Sequence, residues 1–221
     1  MRKIIVAIFL VLTFLCSCSD LNKAIKLKPD DAIKLKSDDA IAHSNRGIAY
    51  NKLGQYQRAI EEYNEAIRLK PDLAEIYSNR GIAYAKLGQY QRAIDDYKEA
   101  IRLKPDLAEA YNNKGNAYNN LRQYQLAIDD FNKAISLKPK DATLYYNRGI
   151  AYDNLGKLQR AIEDFNEAIL LKPNDALAYT NRAGAYFMQG NKKLFCRDVQ
   201  KACTLGDCKL LEMANGKRYC P

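Results

Sequence analysis

Four thiols, Cys196, Cys203, Cys208 and Cys220, carry the chain's densest reactive chemistry, all within the last 26 of 221 residues. Such a cluster forms disulfides in an exported protein, binds metal in a cytosolic one, or supplies a nucleophile if one thiol's pKa is depressed. Zinc needs a C-x-x-C pair or a neighbouring histidine, and this cluster has neither. The single histidine, His43, stands far from it in sequence. Acid–base and phosphoryl chemistry lack their parts as well: there is no Gly-rich phosphate loop and no G-x-S-x-G. The acidic pairs Glu61-Glu62, Asp95-Asp96 and Glu163-Asp164 alternate with Arg58, Arg92 and Arg160. They read as a solvated outer face of mixed sign, which also argues against a nucleic-acid track despite the formal charge of +9. The residues therefore predict no enzyme, no cofactor and no metal site, and a reactive thiol is the only catalytic candidate.

One further set is chemically suggestive: Asn45, Asn79, Asn113, Asn147 and Asn181 recur at a fixed interval of 34. An amide side chain both donates and accepts, so a row of them can hydrogen-bond an extended peptide backbone whatever its sequence. A fixed interval needs a repeating scaffold. Pro71, Pro105, Pro139 and Pro173 mark it, each inside Leu-Lys-Pro and 34 apart. His43, Arg46, Gly47 and Tyr50 fall on one face of a first helix, and Ala59, Tyr63 and Ala66 on one face of a second. Gly54 stops the first helix and Pro71 follows the second. Small Gly47, Ala59 and Ala66 let the two backbones approach, with Tyr50 and Tyr63 beside them. A single such hairpin cannot bury both faces, whereas a stack of them can.

This pattern, with Gly47, Tyr50, Ala59, Tyr63, Ala66 and Pro71 at the eighth, eleventh, twentieth, twenty-fourth, twenty-seventh and thirty-second places, resembles the tetratricopeptide repeat (TPR). The resemblance implies an all-α, right-handed superhelical solenoid of antiparallel helix pairs, about five helical hairpins plus a C-terminal capping helix. Four regular TPR units span 40–175 (40–73, 74–107, 108–141, 142–175). A degenerate fifth occupies 176–209, where Ala183, Phe195, Val199 and Asp207 replace the usual residues, and a Cys-containing cap spans 210–221. The seventh place holds Arg46, Arg80, Lys114, Arg148 and Arg182 where the family favours Leu. Their stems are expected to pack while their heads reach water, with binding of acidic partners as the functional alternative. Tyr77, Tyr84, Tyr90 and Tyr97 fall at consensus packing positions and read as core.

The N-terminus resembles a bacterial lipoprotein signal: Met1-Arg2-Lys3, a mostly apolar run from Ile4 to Leu15 too short for the roughly 20 residues of a spanning helix, then Leu15-Cys16-Ser17-Cys18. The resemblance implies a signal peptide over 1–17, a lipid on Cys18 and a membrane-anchored tether over 18–39 with a remnant repeat helix. With Ser rather than Asp at 19, it implies the bacterial outer membrane, facing the periplasm. Removing Cys16 with the signal and lipidating Cys18 leaves the four C-terminal thiols. In the repeat frame Cys196 and Cys203 lie on one helix, seven residues or about 10.5 Å apart, beyond the roughly 7 Å that a disulfide spans between Cα atoms. The expected pairing is Cys203–Cys208 and Cys196–Cys220.

For function, the resemblance places a groove along the first helices. Ile48, Ile82 and Ile150 make it apolar, while Asn112, Asn116, Asn119 and Asn120 make the third unit amide-rich. The lysines of chaperone-tail clamps are missing from the second and fifth places. The expectation is a non-catalytic scaffold or adaptor that binds a protein or extended peptide through the asparagine row. The alternative is a structural envelope component that associates through its outer surface or glycan, its groove unused.

Overall fold

The computed structural model describes residues 39–217, 219 and 220. The signal segment 1–17, Cys18 and the tether up to residue 38 lie outside the described residues. Among those described there are eleven helices and no strand: α1 (Ala40–Lys52), α2 (Tyr56–Leu69), α3 (Ala74–Lys86), α4 (Tyr90–Leu103), α5 (Ala108–Asn120), α6 (Tyr124–Leu137), α7 (Ala142–Asn154), α8 (Leu158–Leu171), α9 (Ala176–Met188), α10 (Lys192–Thr204) and α11 (Lys209–Gly216). Every first helix starts at the equivalent alanine. Asp39, Asp141 and Asp175 cap three of them by accepting the N–H two residues on, at 3.1, 2.9 and 3.2 Å.

The chain divides into two compact bodies, one ending at Pro71 and the other beginning at Asp72. In the first body α1 packs on α2. In the second, each hairpin packs internally, and each second helix packs on the next first helix: α4 on α5, α6 on α7, α8 on α9. The first helices α3, α5, α7 and α9 also touch one another in order, and α11 closes against α10. This is an all-α repeat solenoid.

Within each hairpin the eighth-place glycine is a packing requirement. A Cβ on Gly47 would stand 2.5 Å from Tyr63 Cε1, and one on Gly115 2.7 Å from Phe131 Cε1. The rings themselves, Tyr63, Tyr97, Phe131 and Phe165, are fully buried. The fifth hairpin balances this differently, because Val199 replaces the ring and Ala183 regains the methyl, both at 0% exposure. What looks degenerate in sequence is thus a matched exchange of volume. The hairpin turns use Gly54, Gly88 and Gly156 at φ of 73–75°, whereas the third unit puts Arg122 at φ 59°. That left-handed conformation costs a side-chain-bearing residue about 1 kcal/mol.

Candidate functional site

The seventh-place cations turn their charged ends inward onto acids, their side chains only 11–20% exposed. Each meets an acid sixteen residues on: Arg80 donates from Nε and Nη2 to Asp96 at 2.8 and 2.6 Å, and Arg148 to Asp164 at the same distances. Arg182 does likewise to Asp198 at 2.6 and 2.9 Å. In the first body Arg46 donates to Glu62 at 3.0 Å, and His43 stands 2.7 Å from the same carboxylate. Two expectations are thereby corrected. The second acid is not solvated in two of the three pairs, since Asp96 and Asp164 are buried, as are Asp130 and Asp198 at the same place in the third and fifth units, whereas Glu62 is half-buried. The cations, in turn, are not a free stripe for acidic partners. The physical reason is position: the twenty-third place adjoins the buried ring at the twenty-fourth, so its carboxylate enters the hairpin interior and must be paired there. Flanking tyrosines complete the arrangement, with Arg80 5.6 and 5.9 Å from the ring centres of Tyr77 and Tyr84, and Arg148 likewise between Tyr145 and Tyr152. Tyr77 and Tyr84 are therefore half-buried walls of a cation slot, while Tyr97 is core.

Burial holds the carboxyls of Asp96, Asp130 and Asp164 above the usual aspartate value, with the facing Arg80, Lys114 and Arg148 pulling the other way. A raised native value means that the folded state holds the proton more tightly than the unfolded chain. Their contribution to stability is then full below the ordinary aspartate value and declines as pH rises through the raised one. Acidification therefore does not open the solenoid at these three pairs.

The third unit is the imperfect member of this ladder. Lys114 Nζ reaches Asp130 Oδ1 at 2.9 Å, and Asp130 Oδ2 stays buried with no partner. Lys114→Arg supplies a second N–H to that oxygen and is expected to raise stability by about 1 kcal/mol. The readout is a higher urea midpoint at unchanged m. A lower midpoint would show that the slot cannot hold the fork.

The asparagine row divides. Asn45 lies exposed in the first body, and Asn79, Asn113, Asn147 and Asn181 are half-buried in the second. Asn147 Nδ2 donates to Asn112 Oδ1 at 2.9 Å, and Asn181 Nδ2 donates to Tyr146 Oη and Leu177 O, both at 2.9 Å. A sixth-place amide thus faces the fifth place of the preceding unit, and where that residue is Asn or Tyr its N–H groups are held inside the protein. Sequence reasoning missed Asn112 and Tyr146 in this role, although both stand next to the row. Asn113 is placed otherwise. With Ile82, Asn116 and Asn120 it lines an open trough of about 430 Å³ between α3 and α5, where Lys86 and Tyr90 also stand. No metal-binding group of His, Cys, Asp or Glu occurs among the described residues, and none of their helices is long and apolar enough to cross a membrane. Cys196 is joined to Cys220, with Cα atoms 5.5 Å apart, and Cys203 to Cys208.

Among solved structures, MamA 41-end from Desulfovibrio magneticus RS-1 is 26% identical over 79% of this chain and 99% of its own, with a TM-score of 0.72. Another MamA crystal structure is 29% identical over 77% and 96%, with a TM-score of 0.68. YrrB, described as a TPR protein with an unusual peptide-binding site, matches over 86% and 98% with a TM-score of 0.68, and at 23% identity shares the fold. No curated protein matches the chain. The family pattern described as tetratricopeptide repeat matches residues 74–107, 108–141 and 142–175, and a second TPR pattern matches 49–88. With more than half of its length so matched, the chain belongs to the tetratricopeptide-repeat family.

Proposed function

We propose that this protein is an adaptor that receives an extended peptide segment of a partner protein along its first helices, while tethered to the bacterial cell envelope. The coarser part follows from the family, whose members are typically protein-interaction scaffolds without catalysis. The observation that supports peptide capture is the trough between α3 and α5, where Asn113, Asn116 and Asn120 stand beside apolar Ile82. Amide donors and acceptors suit a peptide backbone, although Asn120 Nδ2 already donates to Asn116 O at 2.8 Å, and the isoleucine suits a side chain. Because Asn147 and Asn181 are tied to their neighbours, the proposal centres on the second and third units and not on the whole row.

The tether reading rests on Cys18, lipidated after a signal over 1–17, with the outer membrane facing the periplasm as its site. The two disulfides support it, since such bonds persist in oxidising compartments. Photo-crosslinking in cells tests both parts. A benzophenone amino acid at Asn116 is expected to give a discrete adduct that one at Gln125, exposed on α6, does not give. Adducts equal at both positions would favour association through the outer surface and sink the groove reading. Separately, Cys18→Ser is expected to lose fatty-acid labelling and release the protein from membranes, and retention of the label would refute the anchor.

A further inference from the structure

At the C-terminal end the groove changes character. In the regular units the ninth place of the first helix carries Ile48, Ile82, Asn116 or Ile150, and in the fifth it is Gly184. A mid-helix glycine costs about 1 kcal/mol against alanine. Nothing in the packing requires it, for a Cβ on Gly184 would meet no atom within 4 Å. What the missing side chain leaves is a space of about 170 Å³ walled by Phe187, Phe195, Leu210, Met213 and Tyr219. The walls are built rather than incidental. Phe187 lies 5.3 Å from Phe195 and 5.5 Å, edge-on, from Tyr219, counting between ring centres. The disulfide from Cys220 to Cys196 fixes the residue next to Tyr219. Even so, Phe187 remains 45%, Met213 53% and Tyr219 39% exposed, so the cavity opens outward.

An apolar cavity of about 150 Å³ takes up benzene, so this one is sized for a single phenyl ring. Its surroundings set the sign of the flanks. Lys217 stands on the wall, and Lys192, Lys193, Lys201 and Lys209 belong to the same terminal helices. Of the acids there, Asp198 is engaged by Arg182 and Arg197, and Asp207 accepts from Thr180 at 2.7 Å, which leaves Glu212. We infer that this cavity is a second binding site, separate from the amide trough, that takes one aromatic side chain of an acidic peptide segment.

Fluorine NMR provides the test, with the disulfide-bonded protein and a five-residue peptide of four glutamates around a central 4-fluorophenylalanine. Saturable binding is expected, weakening at high salt. The same peptide with central alanine should compete at least tenfold less well. Gly184→Leu, which fills the space on a helix that accepts a side chain there, should weaken binding at least tenfold with no fall in thermal stability. If that variant misfolds, Met213→Glu at an exposed wall position reports instead and should give the same loss. Asn113→Ala should leave binding unchanged, which separates this site from the trough. Equal competition by the alanine peptide, or undiminished binding to Gly184→Leu, overturns the inference. So does a concentration-dependent dimer of the free protein that Gly184→Leu dissolves, for the cavity would then be covered by a second copy of this chain.

Discussion

Asp198→Ala is expected to destabilise the C-terminal end of the solenoid by about 3–5 kcal/mol, more than the loss of any other acid in the ladder. Asp198 is 1% exposed and receives Arg182 from two nitrogens and Arg197 from a third, while the Arg182 side chain is itself 11% exposed. Removing the carboxylate leaves a guanidinium in the hairpin interior between the rings of Tyr179 and Tyr186, with neutral Asn166 Oδ1, at 2.6 Å, as the acceptor still facing it. Glu62→Ala provides the contrast. Its carboxylate is 20% exposed, so water can replace it before Arg46, and the cost should be about 1 kcal/mol or less. The quantity to compare is the urea midpoint of each variant. Equal shifts would mean that burial does not set the strength of these pairs. Replacing both partners separates pairing from packing: Arg182→Met with Asp198→Leu should recover most of the lost stability, because an apolar pair of similar volume carries no desolvation cost.

That ladder also shows where the sequence was legible and where it was not. Helix starts and stops are local signals, so Gly54, Pro71 and the 34-residue spacing of the Leu-Lys-Pro tripeptides locate the hairpins with no knowledge of their contacts. Eighth-place glycines and twenty-fourth-place rings were equally readable, because close helix crossing demands that combination. The paired acids were misread because adjacent carboxylates suggest one solvated surface, although successive helical residues point about 100° apart. Asp95 is exposed while Asp96 is buried. A recoverable signal did exist: a cation at the seventh place and an acid sixteen residues later occur together in all five units, including the third, where Lys114 replaces Arg. The amide row misled for a related reason. Whether a sixth-place Asn is available depends on the fifth-place residue of the previous unit, a contact 35 residues away that follows from stacking geometry and not from either helix alone. Gly184 drew no reading from the sequence, because only the packed end, with Val199 small and Ala183 filling its place, shows that one glycine was lost for packing and another gained where nothing packs.

Removing the Cys196–Cys220 disulfide by paired substitution to serine is expected to cost about 3.5 kcal/mol, and removing Cys203–Cys208 closer to 2 kcal/mol. The difference follows from the loops they close, with sequence separations of 24 and 5, since the longer loop loses more freedom when tied in the unfolded chain. Location adds to this ordering. Cys196 and Cys220 are 8% and 7% exposed within the cluster of Phe195, Val199 and Ala214, so the longer bridge anchors Cys220, and Tyr219 beside it, against α10. A repeat stack transmits stability chiefly between neighbours. The loss should therefore appear as faster amide exchange over α9, α10 and α11, with α3 through α6 retaining their protection. Uniform loss of protection across the second body would contradict this, because it would make the terminal bridge a determinant of global folding instead of a clasp on one end. The same substitution frees Tyr219 from the wall of the Gly184 cavity. Peptide binding there should fall together with the local protection, while the amide trough between α3 and α5 keeps its shape.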